Sequence, residues 1–181
     1  MSLVSCEHSR LAFSGDPATE YHKTLRSLTQ YQRLFGLDKA LYETYVTYIN
    51  ADLSQKYVDE YVRVFSVQED QKNIMTKEAL DDQQTYDDFM VAHFASDMDN
   101  QNLNKNSHDT MVWKFFLQSP DGAMVEASSI TPIKLGTQRS YFYPHLNGWN
   151  RLYRIRFPKN SSNEKKFIMK GTVRELTFTW K

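Results

Sequence analysis

One cysteine, six glycines and five prolines are all that 181 residues contain of these three types. A lone Cys6 closes no internal disulfide and builds no cysteine-based zinc cluster. So little glycine and proline argues against a low-complexity or collagen-like chain. No run of eighteen apolar residues occurs, so no segment reads as a membrane-spanning helix. Catalytic signatures are also missing. There is no G-x-G-x-x-G, no G-K-[ST] and no G-x-S-x-G. The five histidines, at 8, 22, 93, 108 and 145, include no pair at metal-ligand spacing on one helix face. Cys6 and His8 share a terminal tail, where nothing holds a thiol and its base in a water-excluded geometry. Asp97, Asp99, Gln101 and His108 superficially resemble a calcium loop, but its turn glycine and closing glutamate are absent. A looser site from Asp97, Asp99 and Asp109 is outweighed by a solvated acidic loop. The sequence therefore leads us to expect no catalytic residues, no metal and no cofactor.

What is present suits a folded domain. Apolar residues make up 40% of the chain and aromatics 14%, with eleven Tyr and eleven Phe. That is enough to bury a core. The formal net charge of zero hides a division. Residues 1–110 carry 10 Lys+Arg against 18 Asp+Glu, a balance of −8; residues 111–181 carry 12 against 4, a balance of +8. The expectation is that the halves dock and neutralise each other, ahead of an external anionic ligand for the basic half.

Periodicity predicts helices first and strands afterwards. Asp16 as cap and Pro17 at the first turn start a helix, whose apolar face would carry Tyr21, Leu25, Leu28, Tyr31 and Phe35. A second helix is predicted over 38–49, with Leu41, Tyr45 and Tyr48 on one face. A third starts at Ser54, with Tyr57, Val58, Tyr61, Val62 and Phe65 inward. A polar helix is predicted around 76–84. "DDFMVAHFAS" reads as a buried strand in preference to a helix end, followed by a polar loop. "MVWKFFLQ" meets the turn "SPDG". "AMVEASSITPI" follows, with Pro132 marking an edge. "RSYFYPHLNGWN" reads as strand-like up to a tight turn at Asn147-Gly148. "RLYRIRF" and "FIMKGTVRELTFTW" alternate as strands. The acid pairs Asp81-Asp82 and Asp87-Asp88 are expected on an exposed face. The fold class is thus α+β: about three helices over 17–85, then an antiparallel β-sandwich over 86–181, immunoglobulin-like in architecture but without its cysteine pair.

"YFYPHLNGWNRLYRIRFPK" interleaves aromatics with arginines. Tyr153, Ile155 and Phe157 should face the core. Arg139, Trp149, Arg151, Arg154 and Arg156 form the candidate binding surface. Arg forks match phosphate, and Trp or Tyr cover sugar faces, so anionic lipid, glycan or single-stranded nucleic acid are the chemistries it suits.

At the front, "LVSC" (Leu3–Cys6) resembles the lipobox of bacterial lipoproteins: an apolar residue, two mostly small residues, then the cysteine that is lipidated. The resemblance covers four residues. It implies lipidation of Cys6, a tether over 1–16, and a signal peptide in the gene where Met1-Ser2 stand here. It also implies a bacterial cell-envelope location, periplasmic or at the outer membrane. The partners expected are the membrane through that anchor and, for the folded part, another envelope protein, anionic lipid or glycan. The reading is a non-enzymatic binding or scaffolding module. The alternatives are a nucleic-acid-binding module using the basic half, or a hydrolase assembled from the Asp-rich loops.

Overall fold

A computed structural model describes residues 19–35, 40–104, 113–134, 136–171 and 175–181. Cys6 and the helix start at Asp16-Pro17 lie outside them, as do His108 and Asp109. The chain is α+β with two antiparallel sheets. Helix α1 (Glu20–Leu28) leads into β1 (Thr29–Phe35) and β2 (Ala40–Ile49). Then come α2 (Ala51–Phe65), α3 (Glu69–Thr85), β3 (Tyr86–Ala95) and a short α4 (Met98–Gln101). β4 (Trp113–Gln118), β5 (Met124–Glu126) and β6 (Ser129–Ile133) follow. After a one-turn α5 (Arg139–Phe142) the chain closes with β7 (Arg151–Pro158), β8 (Lys165–Gly171) and β9 (Glu175–Trp180). The larger sheet has the order β1-β2-β3-β7-β6 and the smaller β5-β4-β8-β9.

Two predicted helical stretches contain strands, and for β2 the reason is burial on both faces. In β2, Tyr42, Val46 and Tyr48 pack into the core between the sheets, while Tyr45 and Ile49 pack on the opposite face. A strand buried on both sides loses its polar–apolar alternation. Its tyrosines at 42, 45 and 48 then imitate a helical stripe, although the β-branched and aromatic content favours a strand. The first helix likewise stops at Leu28. Thr29 caps it with extended backbone, and "TQYQRLF" pairs with β2 from Thr29↔Thr47 onward. The expected boundary at 85/86 therefore separates β2 from its hydrogen-bonded neighbour β3. It divides one sheet rather than two domains. "RSYFYPHLNGWN" is also not a strand: it forms α5 and a loop in which Asn147 Oδ1 accepts from the backbone N–H groups of Trp149 and Asn150.

Other signals describe local structure well. The helix starts, however, are corrected: Thr19, not Asp16, caps α1, and Asn50, not Ser54, caps α2, each through its side chain. The "SPDG" turn closes with Gly122 N–H donating to the Ser119 carbonyl, and Gly122 sits at φ +87°, where a Cβ would be strained. Pro132 lies in β6, an edge strand that pairs only with β7.

The two sheets share one core. Phe89, Val91, Ile155 and Phe157 from the larger meet Phe115, Leu117, Phe167 and Phe178 from the smaller. Both sides of this stack are closed. On one side the chain crosses from sheet to sheet at Ala127-Ser128: Ala127 N–H donates to Phe115 of β4, and Ser128 N–H to Arg156 of β7. On the other side, edge strands β1 and β9 are bridged by side chains. Gln30 exchanges hydrogen bonds with the Thr179 backbone, and Gln32 donates to the Thr177 carbonyl at 2.6 Å. Two edges that could pair with another chain are thereby occupied.

Candidate functional site

The outer face of the larger sheet is covered by α1, α2 and α3, and between them lies a cavity of about 350 Å³. Its floor is strand side chains, chiefly Met90 and Ile49; Leu25 and Val58 wall it from α1 and α2. Helix α3 closes it with Met75, Glu78, Ala79, Asp82 and Gln83. These follow the spacing of one helical face, but that face is half polar. Periodicity in the sequence therefore marks α3 only as a polar helix. Of its seventeen residues only Gln83 is buried.

A four-membered ionic cluster ties α3 to the sheet. Arg154 and Arg156 sit two apart on β7, so both project to the helical side. In register, Asp88 of β3 lies opposite Arg156. The Asp88 carboxylate is fully buried and accepts from the Nε of both Arg154 and Arg156 at 3.1 Å, and from the Arg154 Nη2. Asp82 of α3 accepts from Arg154 Nη2 at 2.8 Å and also from Arg156. Burial disfavours the charge of Arg154, but hydrogen bonds and charge from Asp88 and Asp82 outweigh it and hold its pKa above the ordinary guanidinium value. Arg156 further stacks over the Tyr86 ring at 4.8 Å.

This corrects two expectations. Arg154 and Arg156 are not free surface cations awaiting an external anion; they are partners of the acidic half. Asp87 and Asp88 are not an exposed face either, since both are 0% exposed. Asp87 points into the space between the sheets, where Lys165 (3% exposed) donates to it at 2.8 Å and Lys159 lies at 3.2 Å. Tyr48 hydroxyl and Asn160 N–H complete its shell. The opposite charges of the two halves thus meet inside the molecule, at both faces of β3.

The other candidate surface residues lie elsewhere. Trp149 is 75% exposed on the loop before β7, its carbonyl accepting from Gln101 Nε2. Arg151 is exposed at the start of β7. The Arg139 side chain lies outside the described parts. The structure does not gather the other four into one surface: Arg154 and Arg156 belong to the helix-covered side with the cavity, and Trp149 and Arg151 to exposed positions at the β7 start. Asp97 accepts from Asn100 at 3.0 Å, and no metal-holding group occurs among the described residues.

His93 is the most buried titratable histidine of the core. It is 0% exposed, accepts from or donates to Thr44 Oγ1 through Nδ1 at 2.8 Å, and lies against Trp113. Burial pushes its pKa down to about 4, against a weaker raising effect of the Asn100 backbone. The folded state therefore holds His93 neutral while the unfolded chain protonates it near pH 6.5. Stability from this group is complete above that pH and is lost as pH falls toward 4, by about 3 kcal/mol. Urea unfolding of wild type and His93→Gln at pH 7 and pH 4.5 checks this. The variant should lose less stability on acidification; equal losses would remove His93 as the cause.

Comparison with known proteins gives no match to a family model, a curated protein or a solved structure.

Proposed function

We propose that the chain is the folded part of a lipid-anchored bacterial cell-envelope protein and acts there as a non-enzymatic binding module, with its ligand in the cavity beneath α3. The cavity carries this reading. It falls within the usual size range of small-ligand sites, is mainly apolar, and has a few polar groups at one wall. Two of its three charged groups are already engaged: Arg154 is paired with both Asp82 and Asp88. The scaffold we propose is an immunoglobulin-like sandwich, supported by the two antiparallel sheets around one core. The address rests on "LVSC" and on Cys6 as the anchor. Several acyl chains on one cysteine hold a protein at a membrane where a single chain would not.

Both parts are testable. The full-length gene product, expressed in bacteria with a fatty-acid analogue, should be labelled, and Cys6→Ala should abolish the label. An unlabelled wild type would remove the anchor. For the cavity, the neutral dye N-phenyl-1-naphthylamine should brighten on binding, and Ala79→Trp, which fills the space, should suppress the signal without lowering the melting temperature. Undiminished dye binding in the variant would place the site elsewhere and sink the cavity reading.

A further inference from the structure

We infer that the cavity beneath α3 takes a small amphipathic cation, an apolar body carrying an ammonium head that settles against Glu78; this rests on the cavity being the binding site. The charges around the cavity decide the sign. Three charged side chains line it: Glu78, Asp82 and Arg154. Arg154 is shared between Asp82 and the buried Asp88, and Asp82 also binds Arg156. Counting Glu78, Asp82 and Asp88 against Arg154 and Arg156 leaves one negative charge in excess. That charge belongs to Glu78. It lies one helical turn before Asp82 on the cavity face of α3 and has no ion pair among the described residues.

An anionic head would have to displace Asp82 or Asp88 from the arginines and then sit beside Glu78. Breaking a buried pair is costly because it leaves a charge uncompensated. A cationic head breaks nothing and neutralises the remaining carboxylate. Tyr21, Tyr57 and Tyr143 also line the space, and the negative faces of aromatic rings favour a cation. Size sets the body. A water-sized group occupies about 30 Å³, so the cavity has room for about a dozen such groups: an aliphatic chain of moderate length or one ring system, not a peptide or a full phospholipid.

The test uses three probes with one body: octylammonium, octanol and octanoate, each titrated below micellar concentration into the whole chain by calorimetry at low salt. Octylammonium should bind about fivefold more tightly than octanol, the scale of an exposed ion pair, and octanoate more weakly than octanol. Glu78→Gln should bring octylammonium level with octanol while octanol binding is unchanged. Octanoate binding as tightly as octylammonium would overturn the proposal, as would a cation preference that persists in Glu78→Gln. A different failure would strike the cavity reading beneath it: none of the three binds, or octanol binding survives Ala79→Trp. Glu78 is exposed, so its substitution should leave the melting temperature in place.

Discussion

Asp88→Ala should destabilise the protein by about 3–5 kcal/mol, the usual cost of removing one partner from a buried ion pair. The carboxylate is 0% exposed and binds both Arg154 and Arg156, whose side chains retain 32% and 24% exposure. Without Asp88, two guanidiniums are left with Asp82 alone, on a helix that buries almost nothing else. The loss should therefore show as lower stability and as earlier opening of α3. Arg154→Ala should cost less, because Asp88 keeps Arg156. Replacing the three strand members by apolar residues, Asp88→Leu with Arg154→Met and Arg156→Met, should recover much of the loss, since a packed apolar group needs no counterion and Asp82, 34% exposed, keeps its solvation. Urea unfolding gives the energies, and hydrogen exchange of α3 amides gives the opening. A cost for Asp88→Ala below about 1 kcal/mol, the range of surface pairs, would show that the cluster is solvated rather than structural.

Phe157→Ala should cost about 3–5 kcal/mol by leaving a cavity in the shared core. Phe157 is 0% exposed and meets Phe89 of the larger sheet and Phe167 of the smaller, both edge to face, with ring centres 5.7 and 5.8 Å away. Its ring therefore spans the two sheets. Phe35 is the control: it is 58% exposed, with the Arg33 guanidinium 4.2 Å above its ring. Phe35→Ala should change stability by under roughly 0.5 kcal/mol. If the two sheets unfold as one unit, Phe157→Ala shifts a single transition in both near-ultraviolet and far-ultraviolet dichroism. Similar costs for the two phenylalanines would contradict the shared core.

The pattern in "RLYRIRF" already placed Tyr153, Ile155 and Phe157 on one side of a strand and Arg154 and Arg156 on the other, and that placement is what the structure has. Alternation could not say what lay beyond the arginines. A solvated face and a face covered by an acidic helix look alike along β7 itself. The clue was in the charge division, since the acids of one half and the bases of the other needed partners, and Asp82, Asp87 and Asp88 proved to be among those acids. The burial of Asp87 and Asp88 had no local sign: "DDQQTYDDF" reads as an exposed, charged stretch until β3 is known to be central in the larger sheet.

Local chemistry by itself determined the SPDG turn, favoured the strand over 86–95, and gave the edge character of Pro132, the inward set of β7 and most of the α2 face, though not Phe65, which is 44% exposed; each depends on a few neighbouring residues. Tertiary structure alone decided that 29–35 and 40–49 are strands: burial on both faces erased the period of β2, and β1 is defined by its pairing with β2. It alone made the cavity, whose walls come from α1, α2, α3 and the sheet and share no sequence proximity. And it alone turned two arginines from candidate ligand contacts into the partners of Asp82 and Asp88, because the free energy of a charge is set by what folding brings beside it.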